Sequence, residues 1–197
     1  PSVLTIHPSV PAKNLKELIA VAKQKRVTMA SSGTGSVPHL AMELLADATK
    51  TDLVHVPYKG AAPAITDVMA GHVDGFFGDI PGLIGHIKSG KLKPVALAST
   101  RRHPLFPDVK TFQETGVPGV DSDNWYALFA HKGTPSADID RINQALRRTL
   151  ATEAVRAKIV ASGAEPAGNS PLELSNLVKA DLTKWTRVIR DKKIKAD

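Results

Sequence analysis

The residues with most chemical potential fall in one hexapeptide, Ser31-Ser32-Gly33-Thr34-Gly35-Ser36. Its glycines let the backbone bend tightly and approach a ligand closely. Its hydroxyls add donors. A helix pattern starts directly after it, and a helix N-terminus offers unpaired N–H groups and the positive end of the dipole. Together these make a seat for an anion. No Gly-Lys-Ser/Thr follows, so the segment is not a nucleoside-triphosphate loop, and the third glycine of a dinucleotide fingerprint is absent. A carboxylate is the better-sized guest. The competing reading is a polar strand–helix turn with a good cap.

Two further segments share this character. Val56-Pro57-Tyr58-Lys59-Gly60-Ala61-Ala62-Pro63 joins a strand pattern to a helix pattern, and Tyr58 adds a phenol. Gly78-Asp79-Ile80-Pro81 ends the next strand pattern. In open α/β sheets, ligands sit beyond the carboxyl ends of strands. Asp79 there either accepts from a ligand amine or hydroxyl, holds a bridging water, or caps the following helix.

Catalytic readings are weaker. A serine nucleophile at Ser31 or Ser36 needs a base within hydrogen-bond reach. His39 and His55 stand in no recognisable serine–acid order. The remaining histidines, His7, His72, His86, His103 and His131, are scattered, with no metal-ligand spacing. No pair of carboxylates stands out for glycoside chemistry. No enzyme activity, cofactor or metal is expected.

The elements that must hold these loops follow a regular plan. Val3–Ile6, Val27–Ala30, Leu53–Val56, Asp74–Phe77 and Leu92–Ala98 read as strands. Helical spacing separates them, starting at Asn14 with Glu17 as capping-box partner, at Val37, across 61–70, and at Ile80–Ile87. That alternation predicts βαβ units and a mostly parallel sheet. Beyond residue 100 the pattern changes. Asp108–Thr115 reads as a short helix and Asn124–Ala130 as the last strand. Three amphipathic helices follow, opening at Thr134-Pro135, marked by Val155, Ile159 and Val160, and opening at Ser170-Pro171. Their apolar stripes have little sheet of their own to cover. They must pack on the first sheet, or on a sheet that is missing or comes from another chain.

Composition narrows the class. The 197 residues include 26 Lys+Arg, 19 Asp+Glu and no cysteine, and 42% are hydrophobic. A chain of this length buries about 70% of its unfolded surface and needs no disulfide or metal staple. The absence of cysteine excludes a zinc ribbon and a thiol nucleophile. No run of about 18 apolar residues exists. Residues 1–8 lack the pattern of a secretory signal, which could have been removed. The net charge of +7 is shared as +2 over residues 1–124 and +5 over 125–197. The Lys192, Lys193, Lys195 tail reads as a frayed terminus. Aromatics do not interleave with the basic residues, so no nucleic-acid partner is expected. The positive balance favours small anionic ligands by steering.

Several stretches resemble one family. They are residues 3–13 (VLTIHPSVPAK), 30–40 (ASSGTGSVPHL), 55–64 (HVPYKGAAPA), 71–81 (GHVDGFFGDIP), 87–96 (IKSGKLKPVA) and 163–168 (GAEPAG). The family is the solute receptors of tripartite tricarboxylate transporters, the TctC or Bug type. The resemblance implies an α/β fold of the type II periplasmic-binding-protein kind. One βα lobe (1–124) would be complete. Residues 125–197 would be a hinge strand and the C-terminal helices of an incomplete first lobe, with roughly a hundred N-terminal residues of the family pattern absent. Strands 3–7 and 124–130 would form the hinge. It implies a periplasmic receptor for a small organic carboxylate that works with membrane transporter subunits. Matching positions make Ser31, Ser32, Gly33, Gly35, Ser36, His39, Tyr58, Gly60, Ala61 and Asp79 the expected ligand-binding residues. The bare C-terminal helices suggest self-association, and a self-associating protein without transport activity is the alternative. An effector-sensing domain shares the two-lobe plan, but no helix-turn-helix segment is visible.

Overall fold

In a computed structural model of the chain, which describes residues 1–195, two compact units form. One holds residues 1–124 with 188–195, the other residues 125–187. The first unit alternates strand and helix. Its elements are β1 (Ser2–Ile6), α1 (Leu15–Gln24), β2 (Val27–Ser31), α2 (Val37–Thr49), β3 (Leu53–Pro57), α3 (Ala61–Ala70), β4 (Gly75–Asp79), α4 (Ile80–Lys88) and β5 (Lys93–Leu97). The sheet order is β3-β2-β4-β1-β5. β2 pairs in parallel with β3 and β4, whereas β1 is antiparallel to both β4 and β5. Four strands therefore run one way, as the alternation predicts, and β1 alone runs against them. The carboxyl ends of β2, β3 and β4 and the start of β1 share one sheet edge.

Both faces of the sheet are covered, because consecutive side chains on a strand point to opposite sides. Phe77 joins Leu4, Ile6, Leu15, Met29, Met42 and Phe112 on one face. Phe76 joins Val3, Val68, Ile80 and Leu83 on the other. Polar clasps fix the strand ends. The Asp74 carboxylate accepts from the Thr28 N–H at 2.8 Å and its hydroxyl at 2.9 Å. Lys93 Nζ donates to the Val10 and Ala12 carbonyls, tying down the β1–α1 loop. The α1 cap forms with a shift in its partner. Asn14 Oδ1 accepts the Glu17 N–H at 3.0 Å, but the Glu17 carboxylate reaches the Lys13 N–H at 2.8 Å.

The expected helix over 108–115 is reduced to one 3-10 turn, Gln113–Thr115. Its first residues are diverted to the sheet. Lys110 O accepts from Leu97 N–H and Phe112 N–H donates to Leu97 O. Nor is the Lys192 end frayed. Val188 is buried, and Lys192 ion-pairs with Asp47 and Glu43 of α2.

The second unit carries α5 (Ser136–Ala151), α6 (Glu153–Ala161) and most of α7 (Pro171–Asp191). The Ser170 cap closes fully here. Glu173 N–H donates to Ser170 Oγ, and Ser170 N–H donates to the Glu173 carboxylate at 2.7 Å. The strand expected at 124–130 is not formed. An extended segment becomes a strand only when a neighbour takes its backbone groups, and no described strand pairs with it. Tyr126, Leu128 and Phe129 are exposed, as are Leu172 and Leu182 of α7.

β4 depends on its glycines. A Cβ on Gly75 would lie 2.9 Å from the Thr5 carbonyl oxygen, which is backbone and cannot turn aside. Gly75→Ala should lower unfolding free energy by about 1–3 kcal/mol, read as a smaller urea midpoint with an unchanged slope.

The loop after β3 is anchored by Tyr58, whose phenol donates to Asp67 of α3 at 2.7 Å. Partial burial and that bond push the phenol up to about 12. A raised folded-state pKa means the protonated phenol supports the fold below pH 10 and the support fades between about 10 and 12. Tyr126→Phe leaves Tyr58 as the sole remaining tyrosine of the 2. Its absorbance at the phenolate band should then titrate near 12 when folded and near 10 in denaturant.

Candidate anion-binding site

The three loops singled out by sequence meet at the edge where β2, β3 and β4 end. Ser31 and Pro57 are register partners on β2 and β3. Beyond them the loops are joined through backbone: Tyr58 N–H donates to Ser31 O at 3.0 Å and Gly60 N–H to Ser32 O at 3.3 Å. Gly60 and Ala61 lie where α3 begins, Gly60 at a φ of 112° that favours glycine. The Tyr58 phenol is held by Asp67, so Tyr58 serves this edge mainly through its backbone.

The hexapeptide is shaped by its own hydrogen bonds. Ser31 Oγ accepts the Gly33 N–H at 3.1 Å. Ser36 N–H donates to Gly33 O, and Ser36 Oγ donates to the same oxygen at 2.7 Å. Gly35 N–H donates to His39 Nδ1 at 3.0 Å. The amides of Gly33, Gly35 and Ser36 are therefore internal supports. The N–H groups of Ser32, Thr34 and Val37 make no hydrogen bond among the described residues, so they are the donors open to a guest. Residues 32–36 are half-buried, whereas Ser31 is buried.

Electrostatics favour a negative guest. α2, α3 and α4 all start at this edge, and none has an acidic residue in its first turn. Their dipoles leave partial positive charge there. Asp79 is the N-cap of α4 but makes no side-chain cap bond. Its carboxylate instead accepts from Asn124 Nδ2 at 2.8 Å and from Ser2 Oγ at 3.4 Å. Ser2 Oγ also donates to Ser122 O at 2.7 Å. Asp79 thus binds the start of β1 to residues 122–124, a role its sequence position did not reveal.

Sequence reasoning also missed His55. Its Nε2 lies 2.6 Å from Ser31 Oγ, and its ring stacks on His39 with centroids 3.7 Å apart. His55 is the polar residue between Val54 and Val56 on β3, and only strand register brings it diagonal to Ser31. The Ser31–His55 distance matches a nucleophile and its base. Ser31 is only 1% exposed, however, and a hydroxyl so buried cannot be reached by a substrate carbonyl. His39 is buried, and burial lowers its pKa while Glu43, 3.7 Å from Nε2, opposes the shift.

Known proteins resemble this chain in sequence and in fold. A UPF0065 protein from a Pseudomonas species is 31% identical over 200 residues, covering 100% of this chain and 60% of the relative. BugT of Bordetella pertussis is 32% identical over 97% of this chain and 59% of its own length. Among solved structures, an R. palustris protein with adipate superposes with a TM-score of 0.93 at 29% identity, covering 100% of this chain and 67% of that one. MatC from Rhodopseudomonas palustris with bound malate gives 0.86 at 30% identity, with 96% and 66% covered. The chain thus spans about 60% of the length of these two curated relatives. Residues 1–194 match the family described as the tripartite tricarboxylate transporter family receptor, and the chain belongs to that family.

Proposed function

We propose that this chain binds a small organic carboxylate at the edge where β2, β3 and β4 end, as part of a periplasmic solute receptor. The observation that carries the reading is the convergence of three helix N-termini without first-turn acids on the half-buried 32–36 turn. One carboxylate oxygen would accept from the Ser32 and Thr34 amides and the other from Val37 N–H at the mouth of α2. Asp79 would face a hydroxyl or ammonium group of the same ligand. The acids named with two solved relatives, adipate and malate, both supply the carboxylate, and malate also supplies a hydroxyl. Delivery to membrane transporter subunits follows from the family, and β1 with residues 124–130 would be the hinge between lobes. No helix among the described residues is long and apolar enough to cross a membrane, in keeping with a receptor that works beside its transporter.

Calorimetric titration with adipate, malate, succinate and citrate tests this. At least one should bind. Thr34→Asp, which sets a like charge among the donors, should weaken it at least about tenfold. Gln24→Glu, at the other end of the sheet, should not. Binding of none of the four, by this chain or by a longer polypeptide containing it, overturns the reading.

The exposed Tyr126, Leu128, Phe129, Leu172 and Leu182 support a second reading, in which the chain self-associates through its second unit and transports nothing. Light scattering should then report a dimer or larger species, and Leu182→Glu with Leu172→Glu should dissociate it. A monomer at high concentration rejects it.

A further inference from the structure

The stacked His39–His55 pair lies directly beneath the turn, and the hydrogen bonds around it define protonation states. Gly35 N–H donates to His39 Nδ1, so the neutral ring carries its proton on Nε2, toward Glu43. Nδ1 is then an acceptor only while His39 is neutral. A proton there would set N–H against N–H and remove the single side-chain bond that holds Gly35, a residue at a φ of +77°. The rings are parallel within 5° at 3.7 Å, so charging both at once is opposed by like-charge repulsion. His55 in turn contacts Ser31 Oγ, which holds the Gly33 amide. Both glycine amides of the turn therefore lead back to this one pair.

We propose that His39, stacked on His55, is a positioning residue that shapes the carboxylate seat only while its imidazole is neutral, so that acidification opens the turn and lowers affinity. The inference rests on the carboxylate reading above and adds a regulation to it. The charged groups that face His39 are His55 from β3, Glu43 one turn along α2, and Lys192, which reaches Glu43 and Asp47 from the end of α7. Glu43 is shared with Lys192, which weakens its hold on an imidazolium. Burial of the ring acts in the same direction and places the transition below the ordinary histidine range. Two effects compete on acidification. The added positive charge attracts an anion, whereas loss of the Gly35 bond disorders the donors that grip it. The second prevails here because the guest is held by oriented amides, not by the ring.

The test has two arms. In 15N-labelled protein without ligand, the Gly35 amide should shift with the His39 titration below pH 6.5. It should stay still in His39→Asn, whose Oδ1 accepts the same N–H and takes no proton. An amide that ignores the titration, or moves equally in both proteins, overturns the proposal. In the second arm, adipate and malate affinities are measured at pH 7.5 and 5.0. Protonation of the acids themselves acts equally on wild type and variant. Wild type should lose about tenfold more affinity than His39→Asn. His39→Gln, which keeps polarity on the Nε2 side but lacks the acceptor, should bind more weakly than His39→Asn at pH 7.5. A wild-type affinity that rises on acidification relative to His39→Asn, or matches it, overturns the proposal. Should none of the four acids bind at pH 7.5, to this chain or to a longer polypeptide containing it, the carboxylate reading falls, and the amide titration still decides whether His39 governs the turn.

Discussion

The turn between β2 and α2 keeps backbone donors open because it satisfies its own interior first. A five-residue strand-to-helix connection rich in donors would otherwise collapse on itself or solvate at random. Here Ser31, Ser36 and His39 take up the inner groups: the Gly33 amide, the Gly33 carbonyl and the Gly35 amide. What remains is a short set of amides at the positive end of a 13-residue helix. Preorganisation of that kind lowers the ordering cost of binding. The loop after β3 extends the frame by donating two backbone bonds into the same turn.

Sheet topology provides the second level of support. β1 lies between β4 and β5 and is buried throughout, yet it runs against its neighbours. Its amino end therefore reaches the edge where the other strands finish. That places Ser2 against Asp79, and Asp79 against Asn124, at the point where the chain leaves the first unit. An entry strand and an exit segment are thereby held by one carboxylate. In the second unit Leu172 and Leu182 of α7 leave apolar side chains exposed, where a helix stripe is ordinarily buried against a neighbour.

Much of the first unit was legible from pattern. Most of the five strands and first four helices have local cues: β-branched or aromatic runs in the strands, a proline or glycine at or soon after the ends of β1, β2, β3, α3 and α4, and strand starts 18–26 residues apart. Where local cues misled, long-range pairing had prevailed. Residues 108–112 have helical residues, but Leu97 captures their backbone, and only the last three turn as a 3-10 helix. Residues 124–130 have strand residues, but a strand needs a neighbour, and composition does not say whether one is present.

By itself, then, the sequence determined the alternating α/β plan, the three strand-to-helix loops that the parallel strands bring to one edge and the family to which the loops belong. These depend on neighbours in the chain: turn residues, caps and periodicity act over a few residues and need no tertiary information. The tertiary structure alone decided which amides stay open, that His55 meets both Ser31 and His39, and that Asp79 joins two distant segments instead of capping its helix. Such contacts depend on strand register and crossover, which bring together residues 16 to 77 positions apart. No local rule encodes them, because they are consequences of burying two apolar faces at once.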